Sequence, residues 1–244
     1  MKHILKKLII NPIVFVISKL VYFVLTKLEL INFYPNPHGG VIDILNHNSI
    51  RESAQYFKPY LDKIVMFKKK EDLWKFALSK IEKNQNVFEF GVFKGESINF
   101  MSSIRPDLNF FGFDSFEGLQ EDWGGSEFRK SHFDLKGNLP KVNSNVKLIK
   151  GWFNKSLPDF LKTFNSKISL INIDCDTYES SNEILMILEK QIISGTIIIF
   201  DEYFGYPGWE YGEKKAFIEF VEKRNLKYTY LAIANEQQCC IIID

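Results

Sequence analysis

Three short runs concentrate the residues able to do chemistry. The first is Phe88-Glu89-Phe90-Gly91, followed by Gly95-Glu96-Ser97. Gly91 lets the backbone turn tightly against a ligand, and Gly95 permits close packing at a helix start. A dinucleotide site would want a third glycine and a pyrophosphate on the helix N-terminus. Here Glu89 precedes only two glycines. Its carboxylate would repel a pyrophosphate, yet it accepts hydrogen bonds from a cationic, amino-acid-like ligand, directly or through water. The plain alternative is an ordinary strand-to-helix turn. The second run is Gly112-Phe113-Asp114-Ser115-Phe116-Glu117-Gly118-Leu119. An acid about 20 residues beyond a glycine turn suits the two hydroxyls of a ribose, so Asp114 reads as a nucleoside ligand. Alone it would pass for a helix cap. The third set is Asp174 with Asp176 and, further on, Asp201 with Glu202. Each pair closes a predicted strand, and adjacent parallel strands would bring four carboxylates to one edge. Hard divalent cations take such oxygen ligands. Without a cation these groups would repel one another or raise their pKa values. Solvated loop acids plus a helix cap are the alternative.

The elements that must position these residues alternate along the chain. Apolar, β-branched runs predict strands at 87–90, 109–113, 146–149, 169–173 and 196–200. Helices are expected over 96–104, 155–165, 180–193 and 213–224. Two further strands, 228–233 and 239–243, read as an antiparallel hairpin. Such alternation predicts an α/β fold: a Rossmann-like, doubly wound, mostly parallel seven-stranded sheet with a C-terminal antiparallel hairpin, plus N-terminal helices. Ligands of such sheets bind beyond the carboxyl ends of the strands, where the strand order reverses.

At 244 residues the chain suits one buried α/β domain with an extension. The expected organisation is an apolar, amphipathic helix in 1–30, a helical lead-in capping the acceptor side in 31–85, and the catalytic domain in 86–244. Residues 53–83 read as one or two surface helices. With 31 basic and 30 acidic residues there is no global field for a nucleic-acid backbone, and no nucleic-acid partner is expected. Cys175, Cys239 and Cys240 form no ligand or C-x-x-C pattern and read as reduced, which fits a cytoplasmic protein. The apolar run 6–27 carries lysines at 2, 6, 7, 19 and 27. Lys19 near its middle would cost roughly 2.5–3.5 kcal/mol in a bilayer core. The run therefore suits subunit contacts in a homodimer, or a helix peripheral to the inner, anionic membrane face, better than a span.

Taken together, Glu89-Phe90-Gly91 through Ser97, Gly112 through Leu119, Ile173-Asp174-Cys175-Asp176-Thr177-Tyr178-Glu179-Ser180, Asp201-Glu202-Tyr203 and Gly212-Glu213-Lys214-Lys215-Ala216 resemble the macrocin O-methyltransferase family of class I S-adenosylmethionine-dependent methyltransferases. The resemblance covers about Asn86 to Asp244. It implies S-adenosylmethionine as donor, a sugar or similar hydroxyl as small-molecule acceptor, and a divalent metal, typically magnesium, at the acceptor site. Carried over by position, Asp174, Asp201 and Glu202 hold the metal, with Glu202 standing where the family often has Asp. The cofactor falls to Glu89, Gly91, Gly95, Ser97, Asp114, Ser115, Phe116 and Asp174. Trp152 and Phe153 follow the third core strand, where the adenine of this fold class lies, so one of them is expected to stack on it. Methyl transfer needs an aligned acceptor oxygen that loses its proton. Asp176 is the expected general base, and His132, in the polar segment between the second and third strands, is the competing candidate. The rivals are a nucleotide-sugar or nicotinamide enzyme and a non-catalytic nucleoside-binding protein on the same fold.

Overall fold

Residues 17–21, 40–124, 126–234 and 237–244 are described here, from a computed structural model of the chain. One compact unit spans Asn48–Asp244 and a second Met1–His47. In the second, residues 17–21 are helical, and most of the lysine-flanked run 6–27 lies outside the described residues. Among the described residues no helix is long and apolar enough to cross a membrane.

Helix α1 covers Val41–Phe57. Strand β1 (Val65–Phe67) and helix α2 (Lys70–Ser79) follow. The alternating core then runs β2 (Asn86–Phe90), α3 (Glu96–Ile104), β3 (Asn109–Asp114), β4 (Val146–Lys150), α4 (Phe153–Leu161), β5 (Ile168–Ile173), α5 (Tyr178–Ile187), β6 (Ile197–Phe200) and α6 (Glu213–Arg224). Strands β7 (Tyr228–Ala234) and β8 (Cys239–Ile243) form the expected hairpin. All strands join one sheet in the order β1-β7-β8-β6-β5-β2-β3-β4, parallel except for β8. The sheet thus has eight strands where seven were expected. Val65–Phe67 pairs in parallel with Ala232–Ala234, inside a segment expected to be helical surface. Three residues are too short to show a period, and their partner strand lies far along the chain. Nor is α2 a surface helix, since Leu73, Trp74, Ala77 and Leu78 are buried.

The central strands β2, β5 and β6 are buried at every position, which explains why they read as continuous apolar runs. Their period of two divides two cores. Phe88, Phe90, Ile171, Ile173, Ile198 and Phe200 pack with α4, α5 and α6 on one face, while Val87, Leu170, Ile197 and Ile199 meet α2 and α3 on the other. The order reverses between β2, which leads on to β3 and β4, and β5, which returns to the other side of β2. That reversal fixes where the site forms.

Candidate active site

Beyond the strand ends the ladders continue by single bonds. The Gly91 N–H donates to Phe113 O at 3.0 Å, Asp174 N–H to Phe90 O at 2.9 Å, Asp201 N–H to Ile173 O at 2.9 Å and Gly151 N–H to Asp114 O at 2.9 Å. The first residue past each strand is thereby held as rigidly as the sheet. Gly91 has φ +87°, and a Cβ there would lie 1.6 Å from the Asp174 carbonyl oxygen, so only glycine fits. This close approach brings the β2 loop against the β5 acids.

Asp114 organises the nucleoside side. One carboxylate oxygen accepts from the Val92 N–H at 2.9 Å and the Phe93 N–H at 2.8 Å, and the other accepts from Phe116 N–H at 2.7 Å. A carboxylate offers about four lone-pair sites, so capacity remains for a ligand hydroxyl. Below the loop, Glu89 is fully buried, taking hydrogen bonds from the Ser97 hydroxyl at 2.9 Å and the Asn172 amide at 3.3 Å. Burial pushes its carboxyl up to about 8, against the pull of those two donors.

The first cavity, about 500 Å³, opens over these residues and has the size of a small-molecule site. Gly91, Ser97, Asp114, Ser115, Trp152, Phe153, Asp174 and Asp176 line it. Gly95, at φ +80°, caps α3 beside it. Three expectations land elsewhere. Glu89 stands beneath the wall, behind Ser97. Phe116 is buried in the core with Val92 and Ile98, and its carbonyl, not its ring, is engaged, accepting from Leu135 N–H at 3.2 Å and Gly137 N–H at 2.8 Å. His132 is exposed, packed 4.5 Å from the rings of both Phe128 and Phe133, and lines neither cavity described here. Lys70 and Trp74 of α2 line the cavity without any signal in the sequence, because they come from the segment read as surface helix.

The acids do converge. Ligand oxygens of Asp174, Asp176 and Glu202 all lie within 4.8 Å of one another. Asp176 has φ +67°, a conformation uncommon for a non-glycine residue, held by a tight turn in which Thr177 N–H donates to Cys175 O at 2.7 Å. Thr177 then caps α5. Asp201 pairs with Lys70 at 3.7 Å through one oxygen. Glu213, at the start of α6, is fully buried and accepts from the Glu202 N–H at 3.0 Å. It completes the group, and its only sequence signal was its place in the Gly212-Glu213 motif. Burial, reinforced by mutual repulsion, raises the carboxyls of Asp174, Glu202 and Glu213 well above the usual range, and Asp176 to about 7. Asp201 Oδ1, Glu202 Oε2 and Glu213 Oε1 are buried without a hydrogen-bond partner among the described residues. Oxygens around an octahedral cation at about 2.1 Å stand roughly 3 to 4 Å apart, so this donor set fits a small hard cation after modest side-chain rotation.

A second cavity of about 560 Å³ is walled by Trp123, Tyr178, Tyr206 and Tyr211. It shares Asp176 and Thr177 with the first. Trp123 packs edge-on to Tyr206 at 6.2 Å, which seats the 115–137 segment over this second space.

Residues 88–203 match the family model described as a methyltransferase domain. Among solved structures, the calicheamicin methyltransferase CalS11 is similar with a TM-score of 0.56 and 18% identity, covering 88% of each chain. The O-methyltransferase NovP is similar with a TM-score of 0.51 and 18% identity over 71% of this chain and 78% of that one. No curated protein matches the chain at a significant level. The matched segment contains the glycine turn, Asp114 and all four strand-end acids, on a sheet of the same class. Residues 88–203 of this chain are thus a methyltransferase domain, carried on a fold shared with CalS11 and NovP.

Proposed function

We propose that the protein methylates a hydroxyl oxygen of a small polyhydroxylated acceptor, a sugar ring in a glycan or secondary metabolite, with a magnesium ion at the acids. One observation carries this reading: two cavities of small-molecule size share Asp176 and Thr177 in their linings, and Asp176 belongs to a carboxylate cluster with unpartnered buried oxygens among the described residues. The first cavity takes S-adenosylmethionine. Asp114 and Ser115 face the ribose, Trp152 and Phe153 the adenine, and Gly91, Ser97 and Asp174 the amino-acid end, with Glu89 acting through Ser97. Gly95 and the Phe116 backbone hold the two loops. CalS11 is described as a calicheamicin methyltransferase and NovP as an O-methyltransferase, and the likeness to both is one of fold.

Asp174, Asp176 and Glu202 would hold the metal, with Asp201 within reach and Glu213 fixing the Glu202 backbone. Bound there, magnesium would orient vicinal hydroxyls and ease their ionisation. The chain's own residues do the rest. They align the acceptor oxygen with the methyl carbon from the side opposite sulfur. As the carbon–oxygen bond forms and the carbon–sulfur bond breaks, the hydroxyl proton passes to Asp176, and S-adenosylhomocysteine remains. Outside the catalytic unit, the lysine-flanked apolar run supports two placements, between subunits or at a cytoplasmic membrane face.

The test is calorimetric titration with S-adenosylhomocysteine, with and without magnesium, followed by mass spectrometry of sugar acceptors incubated with the donor. Micromolar binding and a gain of one methyl group are expected. Absence of binding under both conditions would overturn the reading in favour of a protein that keeps the fold without the chemistry.

A further inference from the structure

The amino-acid tail of the donor is a zwitterion, and the groups that line the first cavity from the end of β5, Asp174 and Asp176, are both acids. With the ribose on Asp114 at the end of β3, the sheet order β6-β5-β2-β3 sends that tail across the β2 turn toward the ends of β5 and β6. Carboxylates there suit the α-ammonium. The α-carboxylate would be repelled unless a cation met it. Two lysines line the cavity, Lys70 and Lys94. Lys94 is exposed, lies 5.0 Å over the Phe93 ring and belongs to the loop whose N–H groups hold Asp114, so it stands on the nucleoside side. Lys70 stands at the other end. Its side chain is 34% exposed, and its ammonium lies 3.7 Å from Asp201 Oδ2 and 5.5 Å from the centre of the Trp74 ring. An ammonium has three donors, so it can serve Asp201 and a ligand oxygen together. Two further features of α2 favour an anion at this wall. Its N-cap, Lys69, makes no side-chain capping bond, and its first two residues, Lys70 and Glu71, both line the cavity, which puts the positive end of the helix there. Trp74, 3% exposed and on the same wall, has its indole N–H buried with no hydrogen-bond partner among the described residues. A buried donor left in that state is costly until an acceptor meets it.

We infer that the start of α2 is the seat of the donor's α-carboxylate, with Lys70 as its counter-ion, standing between that carboxylate and Asp201. The inference rests on the S-adenosylmethionine reading above and adds to it a binding residue from outside the matched segment 88–203. Part of the donor site is thereby supplied by the helical lead-in, ahead of the glycine turn. The carboxylate–ammonium contact is a charge-assisted hydrogen bond, about twice as strong as a neutral one, and it is shielded on one side by the Trp74 ring.

The experiment is calorimetric titration of the full chain with two probes, S-adenosylhomocysteine and its decarboxylated analogue 5′-(3-aminopropylthio)-5′-deoxyadenosine, which keeps the nucleoside, the sulfur and the amine. The wild-type chain is expected to prefer S-adenosylhomocysteine by about 30-fold, the range of one hydrogen bond between charged groups. In Lys70→Met that preference should fall to within about threefold, because S-adenosylhomocysteine weakens while the analogue binds as before, and Lys70→Arg should keep it. Circular dichroism establishes the fold of each variant, and Lys70→Gln, which keeps a polar head beside Asp201, stands in where Lys70→Met does not fold. A wild-type chain without the preference, a preference that survives in the folded neutral variant, or an equal loss for both probes in that variant would each overturn the inference. Failure of the wild-type chain to bind either probe would overturn instead the reading on which it rests.

Discussion

Replacing Gly91 by alanine tests whether the contact between the β2 loop and the β5 acids organises the site. The new Cβ would lie 1.6 Å from the Asp174 carbonyl oxygen and 2.7 Å from its carbonyl carbon. Reaching even a 3.0 Å contact requires a shift of about 1.4 Å, and the obstacle is backbone, not the flexible end of a side chain. Left-handed backbone geometry at φ +87° adds roughly 1–2 kcal/mol for any residue with a Cβ. Overpacking adds about 1–3 kcal/mol. If Asp174 moves, its N–H bond to Phe90 is weakened, at about 1 kcal/mol. The total is about 4 kcal/mol, which for a chain of this size lowers Tm by roughly 8–16 °C. Gly195→Ala is the control. Its φ is +83°, but its Cβ would meet only the Lys167 ammonium at 3.6 Å, so it incurs the conformational cost alone, about 1–2 kcal/mol. Thermal unfolding of both variants, with S-adenosylhomocysteine titration at a temperature where each is folded, separates the effects. Gly91→Ala should lose about 100-fold in affinity, while Gly195→Ala keeps wild-type affinity. Equal Tm losses in the two variants, or full cofactor affinity in Gly91→Ala, would refute the argument.

Asp114→Asn keeps the size of the side chain but turns an amide N–H₂ toward backbone donors, so S-adenosylhomocysteine affinity should fall about 100-fold, near 3 kcal/mol, by calorimetry; unchanged affinity would remove Asp114 from the nucleoside site. Glu89 holds its proton up to about pH 8 in the folded chain and releases it near the ordinary carboxyl range when unfolded, so its contribution to stability is lost as pH rises between those values. The apo protein should therefore unfold at progressively lower temperature from about pH 5 to pH 8, and Glu89→Gln should flatten that fall; an unchanged slope would show that the buried carboxyl is not the cause. The acids Asp174, Asp176 and Glu202 are raised in the same direction, and a metal binds only their ionised forms. Magnesium should consequently raise Tm more at pH 8 than at pH 5, and Glu202→Gln should abolish the difference; equal shifts at both pH values would argue against this cation site.

How much of this was legible beforehand depended on where each residue's partners lie in the chain. Helices α3 and α6 begin and end where expected because Gly95 and Gly212 mark their starts, and Asn225, in the left-handed conformation, closes α6. Helix α5 stops at Ile187, short of the expected 193, because the following turn, with Gln191 and Ile192 N–H groups both on Leu188 O, folds Ile192 into the core. Spacing placed four acids at one edge of the sheet, and three of the four, Asp174, Asp176 and Glu202, supply the clustered oxygens, while Asp201, expected among the metal ligands, pairs with Lys70. It did not reveal that Asp176 sits at positive φ, since no local signal distinguishes that turn from an extended exit. Glu213 and Lys70 reach the site from elements whose positions depend on long-range pairing, α6 against α5 and α2 beside the β1 edge. Phe116 and His132 failed to reach the cavity for a related reason: the 115–137 segment turns through several left-handed residues, so its side-chain directions follow no strand or helix period.

The antiparallel strand β8 has a consequence for the nascent and stressed protein. Strand β6 is Ile197-Ile198-Ile199-Phe200, four uncharged apolar β-formers following Thr196, and its outer edge is covered only by β8, which arrives with the β7 hairpin. Until that hairpin docks, the chain presents an unprotected apolar edge of the kind that pairs with other copies and seeds aggregates. Synthesis delivers β6 first, so every molecule passes through that exposed stage. Substitutions that slow docking of the hairpin will accordingly appear as lost soluble yield before they appear as lost catalysis.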